Sequence, residues 1–184
     1  MIVFAPTGAG KTLAGFLPSF LDIHQRGSTG RLHTLYISPL KALAVDVHRN
    51  IATPIEALDL PVSFETRTGD TPSSRRQRQK TKPPDFLMMT PESLALLLSY
   101  DDADAYFGDL RYIVIDELHA FFDNKRGDLL SLNLARLASL APRARRIGLS
   151  ATIDRPRLAR DWLCREGGRM VRVPQAVAPV IDIL

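Results

Sequence analysis

The order of segments in this 184-residue chain predicts an α/β fold, a central, mostly parallel sheet of about seven strands with helices on both faces. Short runs rich in β-branched and aromatic residues recur along the chain, and apolar residues at helical spacing lie between them. Two of the strand-like runs, Tyr36-Ile37 and Tyr112-Ile113-Val114-Ile115, are apolar without alternation, as befits central strands covered on both sides.

The first strand is read at Ile2–Ala5 and runs into a Gly-rich turn that opens a helix, which Pro18 is expected to kink. A second strand follows at Thr34–Ser38, then a helix over Ala42–Leu58 and a strand at Val62–Thr66. Gly69–Pro84, the most polar segment, carries Arg75, Arg76, Arg78, Lys80 and Lys82 between prolines and reads as an exposed helix-loop with a solvated face. Beyond it come a strand at Phe86–Met89, a helix at Glu92–Ser99, the strand Tyr112–Ile115, a helix at Asp128–Leu140, a strand at Arg146–Leu149, a helix at Arg157–Arg165 and a strand at Met170–Val173. Residues 1–173 thus read as one domain, and Pro174–Leu184, with two prolines and few charges, as an extended connector.

With 45% apolar, 24% charged and 7% aromatic residues, the composition excludes a disordered or fibrous chain. A net charge of +4 suits a polyanionic partner without requiring one. The single cysteine, Cys164, excludes an internal disulfide and a cysteine-based zinc site. No signal-like start and no run of ~20 apolar residues is seen, so no membrane partner and a cytoplasmic location are expected.

Chemistry concentrates in Ala5-Pro6-Thr7-Gly8-Ala9-Gly10-Lys11-Thr12, between a strand and a helix. Glycines there let successive backbone N–H groups, those of Thr7, Gly8, Ala9 and Gly10, curl around a phosphate; Lys11 reaches the terminal phosphates, and the Thr12 hydroxyl can ligate Mg²⁺. Ala5 stands where the general pattern has its first glycine. The strand Tyr112–Ile115 delivers Asp116 and Glu117, the first suited to hold Mg²⁺ and the second to polarise an attacking water. His119 follows, and Ser150 and Thr152 form a Ser-Ala-Thr motif after the strand Ile147-Gly148-Leu149, whose plainer reading is a helix N-cap.

Taken together, these motifs resemble a superfamily-two DExH-box helicase: APTGAGKT at 5–12, SPLKALAVD at 38–46, TPESL at 90–94, DELH at 116–119 and SAT at 150–152 follow that family's order across nearly the whole chain. Within it, HTLYISPLKALAVDV, ETRTGDTPSSRRQRQ and KRGDLLSLNLARLASL resemble the Lhr-like (large helicase-related) group, especially its ligase-associated branch, although Leu118 replaces that branch's tryptophan. The resemblance implies a RecA-like P-loop NTPase lobe that binds ATP and Mg²⁺, with Lys11, Asp116, Glu117 and His119 catalytic and Ser150 and Thr152 coupling to a second RecA-like lobe. It also implies a sequence-independent grip on single-stranded or tailed nucleic acid, DNA favoured over RNA, by Pro39, Lys41, the Thr68-Gly69-Asp70 turn, Thr90, Pro91 and Arg126.

The implied parent is a 3′ to 5′ helicase in DNA repair, with a DNA ligase or nuclease as partner, and the second lobe's arginines and an upstream adenine-reading segment lie outside these residues. The isolated chain is accordingly expected to be nearly inactive as an ATPase. Two other readings stay open on the residues alone: another P-loop ATPase or kinase, and a non-catalytic nucleic-acid-binding module.

Overall fold

The computed structural model describes residues 1–6, 10–39, 47, 51, 55–56, 61–151, 155–164 and 167–172. Seven strands form one sheet: β1 (Ile2–Phe4), β2 (Thr34–Ile37), β3 (Phe64–Arg67), β4 (Phe86–Met89), β5 (Tyr112–Ile115), β6 (Arg145–Ser150) and β7 (Met170–Arg172). Their order is β3-β4-β2-β5-β6-β1-β7, and every pairing is parallel. All seven lie where the residue pattern puts them, with β3 starting two residues late because Val62 and Ser63 still belong to the approach to the sheet edge.

The helices are α1 (Lys11–Arg26), α2 (Ser73–Thr81), α3 (Pro91–Leu98), α4 (Ala103–Phe107), α5 (Lys125–Leu140) and α6 (Pro156–Leu163), with a 3₁₀ turn at Leu118–Phe121. The short α4 and the 3₁₀ turn were not legible as separate elements. Within the expected helix Ala42–Leu58, Val47, Ile51, Ile55 and Glu56 are helical, and the rest lies outside the described residues, as do Val173 and the expected connector. α1 runs as one 16-residue helix through Pro18, which removes one backbone hydrogen bond from its interior.

Strand geometry sends neighbouring side chains to opposite faces, and both faces are covered. Leu35, Ile37, Leu87, Met89, Ile113 and Ile115 pack with α3, α5 and α6 on one side. Tyr36, Phe86, Met88, Tyr112, Val114, Ile147 and Leu149 pack on the other with Phe16, Phe20 and Ile23 of α1 and with Val47 and Ile51. Burying each such large side chain contributes roughly 1.5–3 kcal/mol, so α1, with three of them inward, is pinned against β5 and β6. That clamp positions the first residue of α1. Among the described residues, no helix is long and apolar enough to cross a membrane.

Candidate nucleotide site and nucleic-acid interface

Because every strand runs the same way, all carboxyl ends open on one edge of the sheet, the edge where such sheets bind ligands. The order of strands divides that edge. Asp116-Glu117 and the Gly-rich turn follow β5 and β1, and Ser150 ends β6, three adjacent strands; Thr68, Thr90 and Pro39 follow β3, β4 and β2, also adjacent.

On the first half, Gly10 leads into α1 with φ of 77°, a left-handed conformation that favours glycine, and none of the described residues comes within 4 Å of where a Cβ would stand. The constraint shown there is conformational. Lys11, the first residue of α1, is only 7% exposed, and among the described residues its Nζ makes no hydrogen bond. Among the described residues it pairs with Glu117, whose Oε1 lies at 3.6 Å. A buried ammonium with unfilled donors is costly, and a phosphate oxygen would satisfy it. Thr12 is the next residue on the helix, half-buried, while Thr7, Gly8 and Ala9 lie outside the described residues.

Asp116 is 5% exposed. Its Oδ2 accepts the Tyr36 hydroxyl from β2, and its Oδ1 accepts the Glu117 amide at 2.9 Å. Burial first, and then the Asp116 charge, push the Tyr36 hydroxyl far above its ordinary pKa, so it remains a donor. Glu117 sits in the left-handed region at φ 45°, an uncommon conformation for a side-chain-bearing residue that turns it off the strand into the 3₁₀ turn. Among the described residues its Oε2 makes no hydrogen bond, and it stands 3.4 Å from His119 Nδ1.

These groups fit a Mg²⁺-nucleotide. Magnesium takes few protein ligands beside phosphate and water, which matches one hydroxyl, Thr12, and one oriented carboxylate, Asp116, and not a dedicated cage. Among the described residues no group of three or more His, Cys, Asp and Glu could hold a metal. Lys11 is suited to neutralise phosphate charge and Glu117 to orient a water.

His119 Nδ1 lies 3.0 Å from Ser150 Oγ, joining the loop after β5 to the end of β6. Ser150 is the last residue of β6 and not a helix cap: the residue capping α6 is Arg155, without a side-chain cap bond. Thr152 lies outside the described residues.

On the second half, Thr90 caps α3, its Oγ1 accepting the Ser93 amide at 3.4 Å, and Pro91 takes the first helical position. The Pro91 carbonyl accepts Asn133 Nδ2 at 2.9 Å. Thr68 and Thr71 close a turn on each other, with Gly69 exposed between them. Pro39 is buried, and Lys41 lies outside the described residues.

Arg126 is engaged within the chain. Its Nε and Nη2 donate to the two Glu92 carboxylate oxygens at 2.6 and 3.2 Å, and its Nη1 donates to the Pro39 carbonyl at 2.9 Å. That fork ties α5 to the segments after β2 and β4 at once. The Arg126 hydrogen bonds, working against partial burial, hold the Glu92 carboxyl down at about 2.

Tyr36, Glu92 and Arg76 were not singled out from the sequence as site partners, since their roles depend on which strands become neighbours. Asn133 did leave a signal, a polar residue among Leu130, Leu134 and Leu137 on the buried face of α5. Leu118 is fully buried over Gly148, so the residue departing from the ligase-associated pattern packs in the core.

Residues 1–160 match the sequence profile of DEAD/DEAH box helicases. The ATP-dependent helicase Lhr-Core of Methanothermobacter thermautotrophicus is 42% identical over 166 residues, covering 83% of this chain and 19% of that protein. The structure of Mycobacterium smegmatis helicase Lhr bound to ssDNA and AMP-PNP superposes with a TM-score of 0.82 at 41% identity, over 95% of this chain and 24% of that one. The helicase MrfA bound to DNA and AMPPNP superposes at 0.79 with 28% identity, covering 93% of this chain and 24% of its own. The chain therefore spans about a fifth to a quarter of the length of these three. Its sheet is that of a RecA-like helicase lobe, and with Lhr helicases among its homologues the chain belongs to the DEAD/DEAH box helicase family.

Proposed function

We propose that this chain is the ATP-binding and strand-gripping motor lobe of an ATP-dependent helicase acting on single-stranded DNA. The observation that carries the proposal is the division of the sheet edge, phosphate chemistry after β1, β5 and β6 and candidate strand contacts after β2, β3 and β4, with two side chains crossing the boundary. Tyr36 of β2 orients Asp116, and Arg126 beyond the DELH turn holds Pro39 and Glu92. A change in how Asp116 and Glu117 are engaged is thereby connected to the grip.

In this reading Lys11 and the amides of 7–10 hold the phosphates. Thr12 and Asp116 hold Mg²⁺, whose charge offsets that of the phosphates. Glu117 orients the attacking water, and His119 with Ser150 relays to a second RecA-like lobe. Backbone or hydroxyl donors of Thr68, Gly69 and Thr90, with Lys41, contact the strand without reading bases, on segments whose course Pro39 and Pro91 set. Arg126 acts through Pro39 and Glu92. Support for DNA comes from the related Lhr and MrfA structures, described as bound to ssDNA and to DNA. The 3′ to 5′ direction, the ligase-associated branch, a repair role and a ligase or nuclease partner are the finer part of the proposal and rest on the sequence resemblance.

The test is fluorescence anisotropy of a labelled oligo-dT with the 184-residue chain, with and without Mg-AMP-PNP. A nucleotide-dependent change in strand affinity, absent in Lys11→Ala, is expected. Strand affinity indifferent to bound nucleotide would sink the motor-lobe reading.

A further inference from the structure

The helix α2, SSRRQRQKT, contains no apolar side chain, yet it lies fixed against the edge strand β3. What holds it is a polar lattice. Gln79, fully buried, donates to Glu65 Oε2 at 2.9 Å and to the Thr66 carbonyl at 3.0 Å. Arg78 pairs with Glu65 Oε1 at 2.7 Å, and Arg67, 3% exposed, donates to the Arg76 carbonyl at 3.3 Å and the Tyr100 hydroxyl at 3.1 Å. Hydrogen bonds are directional where apolar contacts are not, so this helix is held in one register. The basic run is thus only partly a solvated face.

One member of the run reaches forward. Arg76 Nη2 donates to the Gly69 carbonyl at 2.6 Å. The Thr68 carbonyl, in turn, accepts the Thr71 amide at 3.1 Å. In a trans peptide the N–H points opposite the preceding C=O, and the chain has no cis bonds among its described residues. The Thr68 carbonyl faces into the turn, so the Gly69 N–H faces out of it. The Gly69 carbonyl faces α2, so the Asp70 N–H faces away from that helix. Among the described residues the Gly69 amide donates to no acceptor. An outward, unfilled backbone donor fixed by clamps on both flanking carbonyls suits a phosphate oxygen.

We infer that Arg76 is a positioning residue for single-strand binding: by clamping the Gly69 carbonyl it holds the turn in which the Gly69 amide faces outward to the strand, without touching the strand itself. The inference rests on the proposed grip by the Thr68–Thr71 turn. It assigns to Arg76 a role that its charge alone does not suggest, since a charged contact and a clamp respond differently to salt.

The experiment measures oligo-dT affinity of the 184-residue chain by anisotropy across a salt series, with fluorescent ADP binding and thermal melting alongside. Arg76→Ala is expected to weaken strand binding about tenfold while the slope of log affinity against log salt changes by well under one. Arg78→Ala, which loses a Glu65 pair on the same helix but no contact with the turn, is expected to stay within about twofold. Nucleotide affinity is expected to hold in both variants. A slope reduced by about one in Arg76→Ala would mean a direct phosphate contact and overturn the clamp. Equal losses in the two variants would trace the effect to a loosened helix, and unchanged affinity in Arg76→Ala would remove the role; both overturn it. Failure of the unmutated chain to bind strands would instead remove the grip on which the inference stands.

Discussion

Gly127 is the third residue of α5, and a methyl group placed on it would stand 1.7 Å from the Phe121 carbonyl oxygen and 2.8 Å from its carbon. An ordinary C···O contact is about 3.3–3.6 Å, so Gly127→Ala forces the 3₁₀ turn and the start of α5 apart by more than about 1.5 Å. Both sides of that contact are backbone, and no rotamer change relieves it. The retreat also strains the cap, where Asn124 Oδ1 accepts the Arg126 and Gly127 amides at 3.1 Å each and Nδ2 donates to the Ala120 and Phe122 carbonyls. Elsewhere in a helix, Ala in place of Gly stabilises by about 1 kcal/mol. Here the sign is reversed, with a loss of about 2–4 kcal/mol from overpacking and a damaged cap. At roughly 2–4 °C per kcal/mol for a chain of this size, thermal melting of the purified variant should fall by about 4–16 °C. A melting temperature equal to or above that of the unmutated chain would refute the close approach and, with it, the placement of Arg126 against Glu92 and Pro39.

Three further outcomes follow from the site and the core. Lys11→Ala should abolish binding of a fluorescent Mg-nucleotide, and Glu117→Gln should retain binding while a longer chain carrying it accumulates unhydrolysed ATP; wild-type affinity in Lys11→Ala would contradict the phosphate role. Tyr36→Phe leaves the buried Asp116 oxygen without its donor, so it should destabilise by about 1–3 kcal/mol in urea titration and weaken Mg²⁺-dependent nucleotide binding more than Mg²⁺-independent binding. The third concerns pH. Burial lowers the His33 imidazole below its ordinary value of 6.5 despite the opposing hydrogen bond to Asp22 at 3.0 Å. Between 6.5 and that lowered value the unfolded chain binds a proton that the folded chain refuses, so this contribution is full above 6.5 and lost as pH falls. His33→Gln should flatten the stability profile in that window, and an unchanged slope in urea midpoints would show that His33 is not its source.

Much of the architecture was legible without coordinates because strand, helix and turn are encoded locally. Uniformly apolar Tyr112–Ile115 required cover on both faces, and Gly10-Lys11-Thr12 after a strand pointed to a candidate anion site. Asp116 and Glu117 were identifiable for the same reason, two carboxylates delivered at a strand's end. What the sequence could not hold was adjacency. Tyr36 serves Asp116 because β2 and β5 pair with Tyr36 beside Val114, a register set by the packing of the whole sheet, 80 residues apart along the chain. Arg126, read from the sequence as a strand contact, has its guanidinium on Glu92 and Pro39, 34 and 87 residues away. Arg76, read from the sequence as one of a run of solvated charges, bonds to a turn seven residues earlier because α2, lacking apolar residues, is docked through hydrogen bonds and ion pairs. Composition and spacing therefore determined which chemistries this chain carries. The tertiary structure decided which of them meet, because the partner of a polar group is chosen by the long-range packing that brings it within 3 Å.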